Sequence, residues 1–177
     1  NFIFRSMFLL ALAVVCQSDT ILQGQCETGW VSGPYPANSC YLFSVATSTW
    51  SGAQQFCRNL GGHLAILDSM DEIMWMRGVR SFYPQLQNTG QVFVGGFKES
   101  GSGQWLWKGN TTNYPILASD WGVGQPDNAS PGQSCLALFS KRTDRDWGYR
   151  FDDFWCSRSI PFICEKTVPR CSAAALE

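Results

Sequence analysis

The stretch from Thr49 to Leu67, TWSGAQQFCRNLGGHLAIL, opens with an amphipathic helix and stops it with paired glycines. Four apolar residues recur at helical spacing and form one predicted face: Trp50, Ala53, Cys57 and Leu60. The hydroxyl of Ser48 or Thr49 is able to accept a hydrogen bond from a free backbone N–H group in the first turn, which is the role of a helix N-cap. Gly61 and Gly62 end the helix because glycine readily adopts the left-handed conformation found there.

A second helix follows, and after it the pattern becomes β-like. The residues from Ser69 to Glu72, SMDE, have the spacing of a capping box and open a helix toward Val79. Short β-forming runs come later: QVFVGGF from Gln91, QWLWK from Gln104, CLALFS from Cys135 and IPFICE from Ile160. Between Gly109 and Gly132 lies a long loop rich in Gly, Pro, Asn and Ser, and such loops are usually functional. Two helices, short strands and one long loop predict an α+β fold.

The chain of 177 residues divides into one predicted domain, residues 26–165, and two end regions. The apolar run Met7–Cys16 is too short to span a bilayer but has the length of a signal-peptide core. We therefore predict a leader over 1–18 and a tail over 19–25, with a buried N-terminal strand as the alternative. Residues 166–172 form a second tail, and AAALE at 173–177 is predicted to be a vector-derived scar. The net charge of −1 gives no electrostatic case for a nucleic-acid partner, and we predict no membrane span.

The eight cysteines predict a disulfide framework, at positions 16, 26, 40, 57, 135, 156, 164 and 171. Their spacing lacks the Cys-x-x-Cys pairs of a zinc site, and His63 is the single histidine. Together with a leader, the framework predicts a secreted, oxidised protein. Loss of Cys16 with the leader leaves an odd number, so one cysteine is free or pairs with another chain. Cys171 is the candidate for such a link, which would give a disulfide-linked homodimer.

Several short motifs occur in a fixed order along the predicted domain: TWSGAQQFC, GGHLAIL, FVGG, WLWKG, DWGVGQPDN, FDDFWC and PFICE. In this order and spacing, residues 26–165 resemble the C-type lectin-like domain family, and most of all its short secreted invertebrate lectins of the perlucin type. FVGG stands where the family has WIGL, and FDDFWC where it has WND-x-x-C. The resemblance implies two helices with short antiparallel β-sheets and a long loop for calcium and sugar. It also implies three disulfides: Cys26–Cys40, Cys57–Cys164 and Cys135–Cys156.

The resemblance further implies one Ca²⁺ site that binds sugar through the ion. Its ligands fall on five residues: Gln125, Asp127, Gln133, Asp152 and Asp153. The peptide bond before Pro126 is expected to be cis. The family has Glu at position 133 and Asn at position 152, so one acid is lost and one gained. Two outcomes stay open: calcium binding is kept with its charge redistributed, or the geometry is spoiled because Asp152 cannot donate to a sugar hydroxyl.

The family's auxiliary calcium site is predicted to be absent. Where calcium-rich members place acids, this chain has other residues: Lys98, Ser102, Asn128 and Ser134. The QPD tripeptide at Gln125–Asp127 resembles the galactose and N-acetylgalactosamine type. Galactose binders stack the apolar sugar face on an aromatic ring, which Trp147, Tyr149 or Phe151 is placed to supply, with core packing as the alternative. Two sequons, at Asn110 and Asn128, are glycosylation candidates, and a glycan on Asn128 would stand beside the site.

These observations predict a secreted, extracellular, calcium-dependent lectin for galactose- or N-acetylgalactosamine-terminated glycans, used in innate immune recognition. The protein is not predicted to be an enzyme, because no nucleophile with an orienting group accompanies His63. One alternative keeps the fold and binds sugars without calcium. A second alternative is a structural protein of the mineral-matrix or surface-binding kind, which the same scaffold is able to host.

Overall fold

The computed structural model describes residues 26–34, 38–79, 82–83, 90–117, 119–139 and 148–168. In these ranges two helices, α1 (Trp50–Asn59) and α2 (Met70–Val79), pack against one nine-stranded sheet. The strands are β1 (Val31–Ser32), β2 (Ser39–Ser48), β3 (His63–Leu64), β4 (Gln91–Lys98), β5 (Trp105–Trp107), β6 (Tyr114–Pro115), β7 (Gln133–Phe139), β8 (Arg150–Trp155) and β9 (Ile160–Thr167). The predicted α+β class is confirmed.

Helix α1 begins where the sequence places its cap. Thr49 is the N-cap, and its Oγ1 accepts a hydrogen bond from the backbone N–H of Gly52 at 3.2 Å. The prediction that Leu60 completes the buried face is wrong, because Leu60 lies one residue past the last helical turn and is 42% exposed. The buried polar residue of this helix is Gln54, whose Oε1 accepts the N–H of Leu64 at 2.9 Å. That bond joins α1 to β3.

Helix α2 carries the predicted capping box. Ser69 Oγ accepts the backbone N–H of Glu72 at 3.2 Å, and Glu72 Oε2 accepts the backbone N–H of Ser69 at 3.2 Å. The same glutamate is buried and has a further partner in β2, because the hydroxyl of Tyr41 donates to its Oε1 at 3.1 Å. Glu72 therefore starts the helix and also ties it to β2.

The sheet is mixed, which differs from the predicted antiparallel sheets. Strand β9 pairs antiparallel with β2 and lies parallel to β4 at Phe93 and Phe162. Strand β4 then pairs with β7, and β7 pairs with β8, both antiparallel. Because side chains alternate along β7, Leu136 and Leu138 pack in one buried cluster and Ala137 packs in another. Strand β8, which carries the two candidate acids, is therefore set at the end of this strand ladder.

The three implied disulfides are confirmed: Cys26–Cys40, Cys57–Cys164 and Cys135–Cys156. The second joins α1 to β9, and the third joins β7 to the residue that follows β8. Cys16, Cys171 and the predicted leader and scar lie outside the described residues. Within the described ranges, neither helix is long and apolar enough to cross a membrane.

Candidate functional site

The long loop is anchored to β8 at its entry. The carboxylate of Asp120 forms ion pairs with Arg77 of α2 and Arg150 of β8. The backbone N–H of Phe151 donates to the carbonyl of Asp120 at 2.9 Å, and Trp121 forms a parallel bridge with Phe151. These contacts place the loop directly beside the strand that carries Asp152 and Asp153.

A tight turn then brings the QPD tripeptide into position. The backbone N–H of Gln125 donates to the carbonyl of Gly122 at 2.9 Å, and Gly124 has a φ of +83°. Glycine adopts this left-handed conformation without the steric cost that a Cβ atom imposes. The peptide bond from Gln125 to Pro126 is cis, as the resemblance led us to expect.

Asp153 holds the tip of the loop from behind. Its Oδ1 accepts the backbone N–H of Asp127 at 3.0 Å, its Oδ2 accepts that of Asn128 at 2.9 Å, and it is 1% exposed. From the other side, Lys98 Nζ of β4 donates to Asn128 Oδ1 at 2.7 Å. An ammonium group thus lies at one of the positions assigned to the auxiliary calcium site, and the absence of that site stays a prediction.

Asp152 faces away from Asp153, because successive residues of a strand point to opposite faces. Its Oδ2 accepts a hydrogen bond from Nε2 of Gln91 at 3.1 Å. Burial raises the pKa of Asp152, the bond from Gln91 opposes this, and the negative charges of Asp153 and Asp127 raise the pKa further. The three carboxylates are therefore close enough for the charges of Asp127 and Asp153 to disfavour ionisation of Asp152.

Gln133 links the loop to β8 through both ends of its amide. Its Oε1 accepts the backbone N–H of Ser130 at 2.9 Å, and its Nε2 donates to the backbone carbonyl of Asp153 at 3.2 Å. The side chain is buried. Both polar atoms of the Gln133 amide therefore already have hydrogen-bond partners among the described residues.

Four of the five predicted calcium ligands line one cavity of about 590 Å³: Gln125, Asp127, Gln133 and Asp152. Asp153 is not among the residues that line this cavity, and its carboxylate instead accepts the backbone N–H of Asp127 in the loop. The walls also include Gln91, Arg150 and four aromatic residues: Phe139, Phe151, Phe154 and Trp155. The structure therefore brings polar groups from the loop, β4, β7 and β8 around one space.

The aromatic predictions need correction. Tyr149 is 1% exposed and packs in the core, where it offers no ring face to the cavity. Phe151 adjoins the cavity but is fully buried in the same cluster, which agrees with the core-packing alternative. Trp147 lies outside the described residues. Trp155 is a partly exposed ring that lines the cavity, and sequence reasoning missed it. Its position two residues after Asp153 on the same strand was the available signal.

Residues 46–166 match the family model of the lectin C-type domain. The chain belongs to the C-type lectin family. The predicted family is thereby confirmed, and its residues span the helices, the loop and every predicted site residue from Gln125 to Asp153.

This C-type lectin domain is similar to proteins of several kinds. Perlucin of Haliotis laevigata is 37% identical over 130 residues, which cover 72% of this chain and 76% of perlucin. The type-2 ice-structuring protein of Hemitripterus americanus is 29% identical over 175 residues, covering 92% of this chain and 97% of that protein. Among solved structures, the carbohydrate-recognition domain of the human scavenger receptor C-type lectin superposes with a TM-score of 0.63 at 25% identity, covering 81% of this chain and 100% of that one.

The donor chemistry of this C-type lectin domain fits calcium, since carboxylate and amide oxygens are the ligands that Ca²⁺ accepts. The positions of these oxygen atoms do not yet form a coordination shell. Among the described residues, no three Asp, Glu, His or Cys side chains converge as a metal-binding group. The carboxylate of Asp153 and the amide oxygen of Gln133 instead accept loop N–H groups. An ion would have to exchange with some of these hydrogen bonds.

Both sequons of this C-type lectin domain are exposed. Asn110 lies between β5 and β6, and Asn128 lies at the loop tip with a φ of +47°. Their occupancy stays a prediction. A glycan on Asn128 would attach to the residue that follows Asp127, at the mouth of the cavity.

Proposed function

We propose that the protein is a lectin that binds glycans ending in galactose or N-acetylgalactosamine, with one Ca²⁺ in the loop cavity. The observation that carries the proposal is the convergence of Gln125, Asp127, Gln133 and Asp152 on one cavity of about 590 Å³. A cavity of this volume is ample for one or two sugar rings, since ligand pockets measure roughly 300–1,000 Å³. Membership of the C-type lectin family supports the class of ligand.

Four side chains that face the cavity would hold the ion, and Asp153 would support it from behind the loop. When bound, calcium would offer coordination to two neighbouring sugar hydroxyls. The protein's part is to hold Asp127 and Gln125 in place, and the two N–H bonds to Asp153 restrict this segment. The same side chains are able to bind the sugar hydroxyls that reach past the ion.

The order Gln125-Pro126-Asp127 supports galactose-type sugars through the family resemblance. Galactose has one apolar C–H face, and aromatic rings bind such faces. Trp155 is the ring that we assign to this face in place of Tyr149, one of the three predicted candidates, because Trp155 is partly exposed and lines the cavity. The guanidinium of Arg158 lies over its ring at 5.7 Å and keeps one side of the ring covered.

A second candidate is sugar binding without calcium at the same cavity. The observation in its favour is that the loop is already held by internal bonds: Gln133 to Ser130, Asp153 to the loop N–H groups, and Lys98 to Asn128. A loop whose conformation is already fixed by protein hydrogen bonds depends less on a bound ion to hold its side chains in place. The direct donors would then be the amides of Gln125 and Gln91, which both line the cavity.

We place the protein outside the cell, secreted, because three disulfides in one small domain are typical of an oxidising compartment. Recognition of foreign glycans in innate immunity is the role that we propose there. A disulfide through Cys171 would join two chains, and two linked sites would raise avidity. A single monomer band on a non-reducing gel would contradict that dimer.

The test is retention on galactose- and mannose-coated resins, in calcium and in EDTA. We expect retention on galactose that EDTA releases, and loss of retention in Asp127→Asn. The matched control is Asp71→Asn, which removes the same charge from an exposed position of α2. Retention that EDTA does not release would favour the second candidate. No retention on either resin would contradict both and favour a structural, surface-binding role.

A further inference from the structure

Gln91 reaches Asp152 across the intervening strand. Gln91 is paired with Phe139 of β7, whereas Asp152 is paired with Ala137 of the same strand. The side chain of Gln91 therefore runs diagonally over β7 to bring Nε2 within 3.1 Å of Asp152 Oδ2. The small side chain of Ala137 leaves this route open. Both Gln91 and Asp152 line the cavity.

The chemistry of Asp152 fixes the orientation of this amide. An ionised carboxylate only accepts hydrogen bonds, so Gln91 must turn its NH₂ group toward Asp152. An amide NH₂ has two N–H groups, and the bond to Asp152 is the one side-chain hydrogen bond of Gln91 among the described residues. The second N–H and the carbonyl oxygen are left for whatever occupies the cavity.

The other polar groups of the cavity are carboxylates, amides and one guanidinium, that of Arg150, which donates to Asp120. Asp127 and Asp152 contribute carboxylate oxygens to its lining. The amide NH₂ of Gln133 donates to the backbone carbonyl of Asp153, and that of Gln125 is turned to Asp127 Oδ2 at 3.5 Å. A sugar hydroxyl both donates and accepts, so a hydroxyl placed at the Asp152 carboxylate needs a donor beside it, and the side chain bonded to that carboxylate is Gln91.

We propose that Gln91 and Asp152 act as one donor–acceptor pair for a single sugar hydroxyl. The free N–H of Gln91 donates to the hydroxyl oxygen, and the Asp152 carboxylate accepts the hydroxyl proton. Gln91 thereby supplies the donor that an aspartate at position 152 lacks. This inference rests on the proposed function, because it names how the same cavity contacts its sugar.

A double-mutant cycle tests the pair, with methyl β-galactoside as the probe and calorimetry as the measurement. Gln91→Met keeps the length of the side chain and removes the donor, so we expect affinity to fall about tenfold. Asp152→Asn supplies its own N–H group, so adding Gln91→Met to it should change affinity by less than about twofold. Gln55→Met, the same substitution on an exposed position of α1, should leave affinity unchanged.

A purely structural role for Gln91 predicts other results. If Gln91 only supported the sheet, Gln91→Met would lower the thermal midpoint and weaken binding equally in both backgrounds, which would overturn the pair. Gln91→Glu keeps the shape and replaces the donor by an acceptor, so it should weaken binding at least as much as Gln91→Met. If the wild type binds the galactoside and both Gln91 variants bind it with the same affinity, the donor–acceptor pair is overturned and the proposed function still stands. Absence of any galactoside binding by the wild type would overturn the proposed function and the pair together.

Discussion

Asp153 Oδ1 accepts the backbone N–H of Asp127 at 3.0 Å, which joins β8 to the loop that carries the QPD tripeptide. Asp153 itself is 1% exposed and is not among the described residues that line the cavity. The residue that fixes the loop is thus distinct from the residues that face a ligand. Two adjacent acids of one strand divide these tasks, because Asp152 faces the cavity from the opposite side of β8.

Replacing Asp153 by Asn should therefore release the loop. An amide presents only one acceptor atom, so one of the two loop N–H groups loses its bond to residue 153. The N–H of Asp127 keeps Gln125 Oε1 at 3.0 Å, whereas loss of the bond from Asn128 costs about 1–3 kcal/mol. We expect the N–H groups of Asp127 and Asn128 to exchange with solvent faster, as followed by hydrogen exchange. The exposed Asp71→Asn serves as the charge-matched control. Unchanged protection of both N–H groups would show that Asp153 does not hold the loop.

Stability should fall as the pH rises through neutrality. Burial is the main reason that the pKa of Glu72 and that of Glu165 are raised, each to about 7 from 4.5. The native state then holds more protons than the unfolded chain between these values, so this contribution is complete below about pH 4.5 and is lost as the pH passes about 7. The two shifts are not additive, because the charge of Glu165 is one cause of the shift of Glu72. We therefore expect the free energy of unfolding to drop by about 3 kcal/mol between about pH 5 and about pH 8.

Urea unfolding at several pH values checks this expectation, with Glu72→Gln as the matched variant. A glutamine resembles the protonated acid, keeps an acceptor for the N–H of Ser69, and is able to donate to the hydroxyl of Tyr41. Its stability should depend less on pH than that of the wild type. Equal slopes in the two proteins would contradict the assignment to Glu72.

The disulfides Cys57–Cys164 and Cys26–Cys40 close loops of different length and should therefore differ in how much they stabilise the domain. Cys57–Cys164 closes a loop of 107 residues and Cys26–Cys40 a loop of 14. In the chain-entropy account, their removal costs about 4.7 and about 3 kcal/mol respectively. Paired Cys→Ala variants, compared by denaturant unfolding, should show the larger loss for the first pair. The reverse order would mean that local packing, rather than loop span, sets the effect.

Two glycine substitutions should change stability in opposite directions. A Cβ on Gly62 would collide with the backbone carbonyl of Glu165, which cannot move without disturbing β9. A Cβ on Gly78, within α2, would meet nothing within 4 Å. We expect Gly62→Ala to destabilise the domain and Gly78→Ala to stabilise it by up to about 1 kcal/mol. Thermal unfolding of both variants tests the pair, and equal shifts would contradict the packing described for Gly62.

Local signals were enough to predict the helices. Thr49 and the Ser69–Glu72 box act on N–H groups within three residues of themselves, so neither depends on the rest of the fold. The disulfides and the cis bond before Pro126 came from family resemblance rather than from local chemistry. Leu60 was misplaced because periodicity does not say at which residue a helix stops, and α1 ends at Asn59.

The less predictable parts of the site depend on contacts between distant segments. Gln91 lies 61 residues from Asp152 and within no ligand motif, so only the register of β4, β7 and β8 brings them together. Tyr149 was assigned to the sugar face because it is near the acids in sequence. Its φ of +58° accompanies a buried position just before β8, which period-two alternation does not reveal.

The most direct test of the lectin assignment is calorimetric titration with methyl β-galactoside, in calcium and after its removal by EDTA. Wild-type protein should bind one galactoside per chain in calcium and lose most of that affinity in EDTA, and Asp127→Asn should bind weakly in both. Binding that is equal with and without calcium would contradict the role given to the ion. No binding in either condition would contradict the lectin function of the cavity itself.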